Sequence, residues 1–252
     1  MKGLLVRVGI DQTYGGWNAP CRDNNSFCYV PIPISSKPQD LEVFEHGLET
    51  TYDDFEQAYK RFARENAAAF PNSLHGGLCH LDPDFRFLSY GDSGARASRL
   101  KDFFEGSTDN FIAFYASFRR IDSNQSCLVY AIIGLYRFEK VHCANKVPEL
   151  QRCQNAHTRV VDYQRLENKD IVIFGDKSNS GRLKYLLPIG ERRTNRHYYV
   201  REELFAQWGG ISVRNGWIQR SAYLPEFLNQ KKFLKWFDNQ NPEFVHENNV
   251  FY

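Results

Sequence analysis

Three stretches of the chain gather side chains whose types could do chemistry. The first, Arg7 to Arg22, reads RVGIDQTYGGWNAPCR and holds Asp11, the pair Gly15 and Gly16, Trp17 and Asn18. Adjacent glycines let a backbone approach a ligand closely, Trp17 offers a stacking face, and Asp11 and Asn18 carry groups able to read a base edge. The stretch lacks the spacing and the Lys-Ser/Thr end of a phosphate-cradling P-loop. Its structural alternative is a tight turn whose Trp17 packs into the core.

The second stretch carries His80, Asp82, Asp84 and, after Tyr90 and Gly91, Asp92. An imidazole beside carboxylates suits general acid–base work or a hard cation, so His80, Asp82 and Asp92 are the candidate catalytic residues. Asp-Pro and Gly-Asp are also ordinary turn formers. The third stretch, His157 to His197, brings Arg159, Arg182, Arg192 and Arg193 as candidate phosphate ligands, with Tyr198 beside them as a further stacking surface. Guanidinium groups grip phosphate bidentately, although a charge run also serves as a plain solvated face. No metal site is expected: His75, Cys79 and His80, and separately His142 and Cys143, lie close together but show neither CxxC nor HExxH spacing. No cofactor follows from these residues.

The elements that must position these groups are legible as periodicities. Leu4 to Ile10 reads as an opening strand, and Phe27 to Ile34 as an extended run that Pro31 and Pro33 push to an edge. Between Tyr52 and Phe70 the positions Phe55, Ala58, Tyr59, Phe62 and Ala63 fall on one stripe of a helix. Leu74 to Gly94 reads as a loop with a short strand near Phe85 to Leu88. Phe111 to Phe118 and Cys127 to Phe138 read as a hairpin covered on both faces, with Gly134 marking a bulge or a close backbone approach. Ile171 to Phe174 and Leu183 to Ile189 read as strand, turn and strand, followed by helices over about 200–208 and 224–237.

The 252 residues, 42% apolar and 15% aromatic, supply ample material for a core, and nothing divides the chain, so one domain spanning 1–252 with a helical part over about 198–240 is expected. A net charge of +2 gives no whole-molecule attraction to a polyanion, so any nucleic-acid affinity must be local. No apolar run approaches the roughly 20 residues that cross a bilayer. The start lacks a secretory pattern and the six scattered cysteines read as reduced thiols, which together suggest a cytoplasmic protein with no membrane partner.

The segments LLVRVGIDQTYGGWNAPC, YVPIPI, HLDPDFRFLSYGD, DNFIAFYASF, LVYAIIGLYRFEKV, NAHTR and SGRLKYLLPI, in that order, resemble the third of the nucleotide modification associated domain families over most of residues 1–240. That resemblance implies a prokaryotic setting, in systems that modify bases in bacterial and phage DNA, and no particular reaction. Separately, DNFIAFYASF with LVYAIIGLYRFEKV is similar to the central hairpin of PUA-like folds such as the ASCH and EVE domains, which implies a pocket for a modified base between loops. The expected fold is therefore α+β, a curved, mostly antiparallel sheet or partly open PUA-like barrel with flanking helices and a carboxy-terminal helical lobe. The expected role is recognition or processing of a modified nucleobase in nucleic acid, with nucleic acid or a nucleotide as ligand, DNA foremost, and DNA-modification proteins as partners. The alternatives are acid–base or metal-assisted chemistry on a nucleotide or base, and a scaffold of a modification complex.

Overall fold

A computed structural model describes residues 1–34, 44–63, 69–123, 127–138, 140–162, 170–219 and 224–249. The fold is α+β, with mixed and antiparallel sheets and no closed barrel. Its centre is the hairpin of β6 (Asn110–Arg120) and β7 (Val129–Phe138). The strand β1 (Gly3–Arg7) lies parallel to β6, as does the short β2 (Pro20–Cys21) further along the same edge. Beyond β7 come β10 (Gly181–Pro188) and β13 (Phe244–Val245), both antiparallel. The main sheet is thus mixed, because its first strand enters parallel.

Alternation along the hairpin divides its side chains between two cores. Ile112, Phe114, Ala116, Ile133 and Tyr136 face one core with α1 (Asp53–Ala63), Tyr29 and Phe85. Phe111, Ala113, Tyr115, Ile132 and Leu135 face the other, which is closed by α3 (Glu202–Trp208) and α4 (Gln230–Asp238) through Trp208, Phe233 and Phe237. Burial on both faces explains the near-continuous apolar reading of these strands. The five stripe residues expected on the first helix are all buried, and acidic residues at its start with Lys60 and Arg61 at its end match the helix dipole. The tail of that expected helix, 64–68, lies outside the described residues.

Three expected elements are different in the structure. Phe85 to Leu88 is a turn, not a strand: the Asp84 carboxylate accepts from the Arg86 amide, Asp84 and Ser89 exchange backbone bonds, and the strand β5 follows at Ser89–Asp92. Ile171–Phe174 (β9) and β10 do not pair with each other; β9 joins β5 and β8 (Val141–Cys143) in a second sheet of order β5-β9-β8. The final helix starts at Gln230, not near Leu224, because Pro225 and Phe227 bond to β1 as extended chain (Leu5 N to Pro225 O, 2.8 Å; Phe227 N to Gly3 O, 3.0 Å). The two carboxy-terminal helices accordingly sit on the main sheet as its cover. The remaining strands are β3 (Ile32–Pro33) with β4 (Cys79–His80), and β11 (Gly190–Arg192) with β12 (Tyr198–Val200). Among the described residues no helix is long and apolar enough to cross a membrane.

The hairpin register slips between Phe114 and Tyr115, opposite Gly134 and Ile132, so Ile133 is the extra residue of a bulge. A Cβ on Gly134 would stand 2.5 Å from the Phe85 ring and 2.9 Å from the Gly181 carbonyl oxygen, which is why that position has no side chain. Gly134→Ala should therefore lose about 1–3 kcal/mol of stability through overpacking, read as a lower urea midpoint; an unchanged midpoint would refute the close approach.

Candidate functional site

A cavity of about 680 Å³ opens where the loop after β1 meets β4, β5, the start of α2 (Gly94–Phe104) and a 3₁₀ turn at Ala156–Thr158. Its lining includes Arg7, Asp11, Tyr14, His80, Asp82, Asp92, Arg96 and His157. This volume lies in the range of small-molecule sites.

Two segments far apart in the chain are fastened together to build its floor. His80 ends β4, and the amide of Asp82 donates back to the His80 carbonyl (2.9 Å), holding the two residues in a tight bend. Asp82 Oδ1 accepts from the Gly91 amide (2.8 Å) and from Asn155 Nδ2 (3.0 Å). Asn155, fully buried, also uses its Oδ1 to accept from the His157 amide (2.9 Å), so one amide side chain orients both Asp82 and His157. Two residues further along each segment, Asp84 and Arg159 form a buried ion pair at 2.9 Å. The result sets His157 Nε2 3.8 Å from Asp82 Oδ2 and the two imidazole rings edge to face, 4.8 Å between centroids. Gly91 makes this possible, since a Cβ there would fall 2.3 Å from the His157 ring.

Burial governs the protonation of this floor. It drives the His80 imidazole down to about 3, helped by the neighbouring His157, and drives His157 down to about 4, helped by Arg96. Burial also pushes the Asp82 carboxyl well above the usual carboxylate range, against the two hydrogen bonds that favour its charged form. On the cavity wall, Asp92 accepts from the Tyr90 hydroxyl (3.0 Å) and from Arg96 Nε (2.9 Å). Arg7 pairs with Asp11 at 2.7 Å, and Asp11 Oδ1 also accepts from the amides of Thr13 and Tyr14. Tyr14 is half exposed at the mouth.

Of the residues singled out in the sequence, His80, Asp82, Asp92 and Asp11 line this cavity, and the others lie elsewhere. Trp17 packs edge-on against Tyr59 and Phe70 at 5.5 and 5.7 Å, so its ring is committed to the first core. Asn18 is buried and donates to the carbonyl and hydroxyl of Ser117. Tyr198 stacks on Tyr130 with centroids 4.3 Å apart, and its hydroxyl accepts from the Leu128 amide. Arg182 is buried over the Phe27 ring, 3.8 Å from its centroid, and donates to the Phe27 carbonyl. Arg159 spends Nε on Cys153 O, one terminal nitrogen on Thr50 and the other on Asp84. Arg192 and Arg193 sit on the β11–β12 hairpin, Arg193 paired with Glu191 and stacked over Tyr199. His75, one of the imidazoles considered for a metal, pairs with Glu56 at 2.8 Å, and all six cysteines are free thiols.

Residues not assigned a role from the sequence complete the site: His157, Asn155, Gly91, Tyr14, Arg7 and Arg96. His80, Asp82 and His157 also form the one group of metal-ligating side chains found among the described residues, each offering a ligand atom within 4.8 Å of the others.

A family model described as nucleotide modification associated domain 3 matches residues 2–235. Neither a curated protein nor a solved structure matches the chain, so the PUA-like resemblance rests on the hairpin sequence alone.

Two outcomes follow from this geometry. The depressed histidines contribute stability that is lost as pH falls below about 6.5, because the unfolded chain then takes up protons the native imidazoles refuse, whereas the raised Asp82 acts in the opposite sense over the same fall. Melting curves therefore mix the two effects, and residue-resolved NMR separates them: in chelator-treated protein the His80 and His157 rings should keep neutral chemical shifts down to about pH 5, and titration near 6.5 would contradict their burial. Second, Arg159→Ala should cost about 3–5 kcal/mol by stranding the Asp84 charge, while Arg192→Ala should stay within about 0.5 kcal/mol, both by urea denaturation.

Proposed function

Because the chain belongs to the nucleotide modification associated domain 3 family, we propose that it is an enzyme acting on a nucleotide or nucleobase, with the reaction carried out in the cavity between β1, β4, β5 and the 155–159 turn. The observation that carries this reading is the convergence of His80, Asp82, Asp92 and His157 on one pocket, although they are drawn from segments up to 77 positions apart in the sequence. Recognition of a base by fixed contacts needs a stacking wall and edge partners; it does not need half-buried imidazoles facing a carboxyl whose proton affinity desolvation has raised.

In this reading the base lies against Tyr14, whose ring stands at the mouth, with the apolar side chains of Ile32, Pro33 and Phe44 nearby. Arg96, paired with Asp92 but partly exposed on the cavity wall, is the guanidinium that would meet a phosphate or another anionic part of the substrate, while Arg7 is held by Asp11. His80, Asp82 and His157 stand at the reacting end, where they can serve proton transfer directly or hold an ion that activates water. Trp17, Asn18, Tyr198, Arg182, Arg192 and Arg193 have no direct part in the chemistry. The β11–β12 hairpin, with Arg192 and Arg193, is left as a surface that a nucleic-acid backbone could follow if the substrate base is in a strand.

The test is mass spectrometry of plain and modified nucleotides, and of oligonucleotides carrying them, after incubation with the protein with and without divalent metal. A product mass that disappears with Asp82→Asn and persists with Trp17→Phe supports the proposal; no product from any substrate, or one made equally well by Asp82→Asn, overturns it. Tyr14→Ala should raise KM about 5- to 100-fold, the worth of one stacked base, without changing the melting temperature.

A further inference from the structure

We propose that His80, Asp82 and His157 bind one divalent first-row transition-metal ion through two imidazole nitrogens and one carboxylate oxygen, leaving its remaining positions open toward the cavity. Their ligand atoms lie within 4.8 Å of one another, and His157 Nε2 and Asp82 Oδ2 are 3.8 Å apart. Adjacent ligands of a bound ion stand about 3–3.5 Å apart, given metal–nitrogen and metal–oxygen bonds of about 2.0–2.2 Å. The 3.8 Å gap is thus within about an ångström of the bound geometry and the widest separation within about two, distances that side-chain rotation can supply.

Four further features fit a built site. The ring nitrogens of His80 and His157 make no hydrogen bond to described residues, although both rings are largely enclosed, so their lone pairs remain for an ion. Asp82 has its Oδ1 fixed by the Gly91 amide and Asn155, which turns Oδ2 toward His157. That is the outer-shell orientation ligating carboxylates receive in metal sites. Among the described residues Asp82 has no Arg or Lys partner and pairs with His157 alone, whereas Asp11, Asp84 and Asp92 are each paired with a guanidinium. Gly91 keeps His157 in register, because any side chain there would occupy the ring's place.

The ligand set points to the class of ion. Two imidazoles with one carboxylate suit zinc, iron, manganese or cobalt; magnesium and calcium prefer all-oxygen shells. With three protein ligands and open positions, the site has the form of a catalytic centre that can polarise a bound oxygen or activate water, and lacks the four protein ligands of a closed structural one. The cavity that holds Arg7, Arg96 and Tyr14 lies on the open side. This inference does not rest on the substrate being a nucleotide; it needs only the geometry of the three ligands.

The test uses the full chain, stripped with chelator and dialysed, then titrated with Co²⁺ and with Zn²⁺ by absorption and calorimetry. One equivalent should bind, with a Co²⁺ visible band typical of nitrogen and oxygen ligation, and the affinity should fall at least 100-fold in Asp82→Asn and in His157→Gln. Asn155→Ser should lower it about 10- to 100-fold as a positioning residue. His142→Gln, a change outside the cavity, should leave it unaltered. Should His157→Gln fail to fold, the ring signals of His80 and His157 in wild-type protein, shifted and broadened by Co²⁺ in NMR, give the same answer. Absence of binding at micromolar ion, binding unaltered by Asp82→Asn, or Co²⁺ shifts confined to other histidines would overturn the proposal. Metal binding without any product from nucleotides would leave this site standing and refute the substrate reading alone.

Discussion

The site depends on a buried ion pair between two segments that are not neighbours in the chain. Arg159 and Asp84, both almost wholly inaccessible to solvent, hold the turn after β4 against the turn after Asn155. Taking two charges out of water costs several kcal/mol apiece, and here the loss is offset by saturating both groups. Arg159 also bonds Cys153 O and Thr50 Oγ1, while Asp84 accepts from Asn248 and the Arg86 amide. Such a pair contributes more to unique geometry than to net stability. Its consequence is that Asp82 and His157, each two residues from a member of the pair, meet across the cavity floor.

Around that fastening the molecule arranges two large apolar cores and a polar recess. The β6–β7 hairpin separates the cores, and the recess lies beyond the end of β1, where the chain turns at Gly9 with φ of +75°. A positive φ there is a conformation that residues with a Cβ rarely adopt. Charged groups enter the recess in pairs, Arg7 with Asp11 and Arg96 with Asp92, so most of its charge is locally cancelled. The exception is the group formed by His80, Asp82 and His157, in which Asp82 has no guanidinium or ammonium paired with it among the described residues. Buried polar groups left in this state are costly, and their presence at the bottom of an open cavity is a mark of function more than of packing.

The family assignment and the geometry address different questions. Membership in a nucleotide modification associated family supplies a context, and it covers nearly the whole of the chain. The cavity supplies the proposed chemistry, which draws on His157, Asn155 and Gly91 as well as on the residues that stood out as a cluster in the sequence. Fold class alone would have suggested neither, since α+β sheets of this kind carry many activities.

Much of the architecture was legible from the residues in order. Periodicity located the first helix down to its five buried positions, and the continuous apolar runs of β6 and β7 located a hairpin covered on both sides, because burial writes itself directly into local composition. The close approach at Gly134 was legible for the same reason. The strand at Ser89–Asp92 was less so: Ser89, Gly91 and Asp92 are polar or small, and what makes the segment a strand is pairing with β9, from Asp92 with Ile171 to Ser89 with Phe174. Helix α2 was not anticipated, although its buried Ala97, Leu100 and Phe104 fall at helical spacing on one face.

For the site, the sequence alone determined that His80, Asp82 and Asp92 lie close enough together to share a loop region, because local spacing bounds local distance. Whether an aromatic or basic residue faces a cavity is a matter of which surface its element presents, and that is fixed by packing partners far away in the chain. Tertiary structure therefore decided that Trp17, Tyr198 and Arg182 are parts of the cores, that Arg159 is a strut, and that Tyr14, Arg7 and Arg96 stand in the recess. It also decided the meeting of Asp82 with His157, 75 positions apart, because only folding can bring two such segments within a metal's reach.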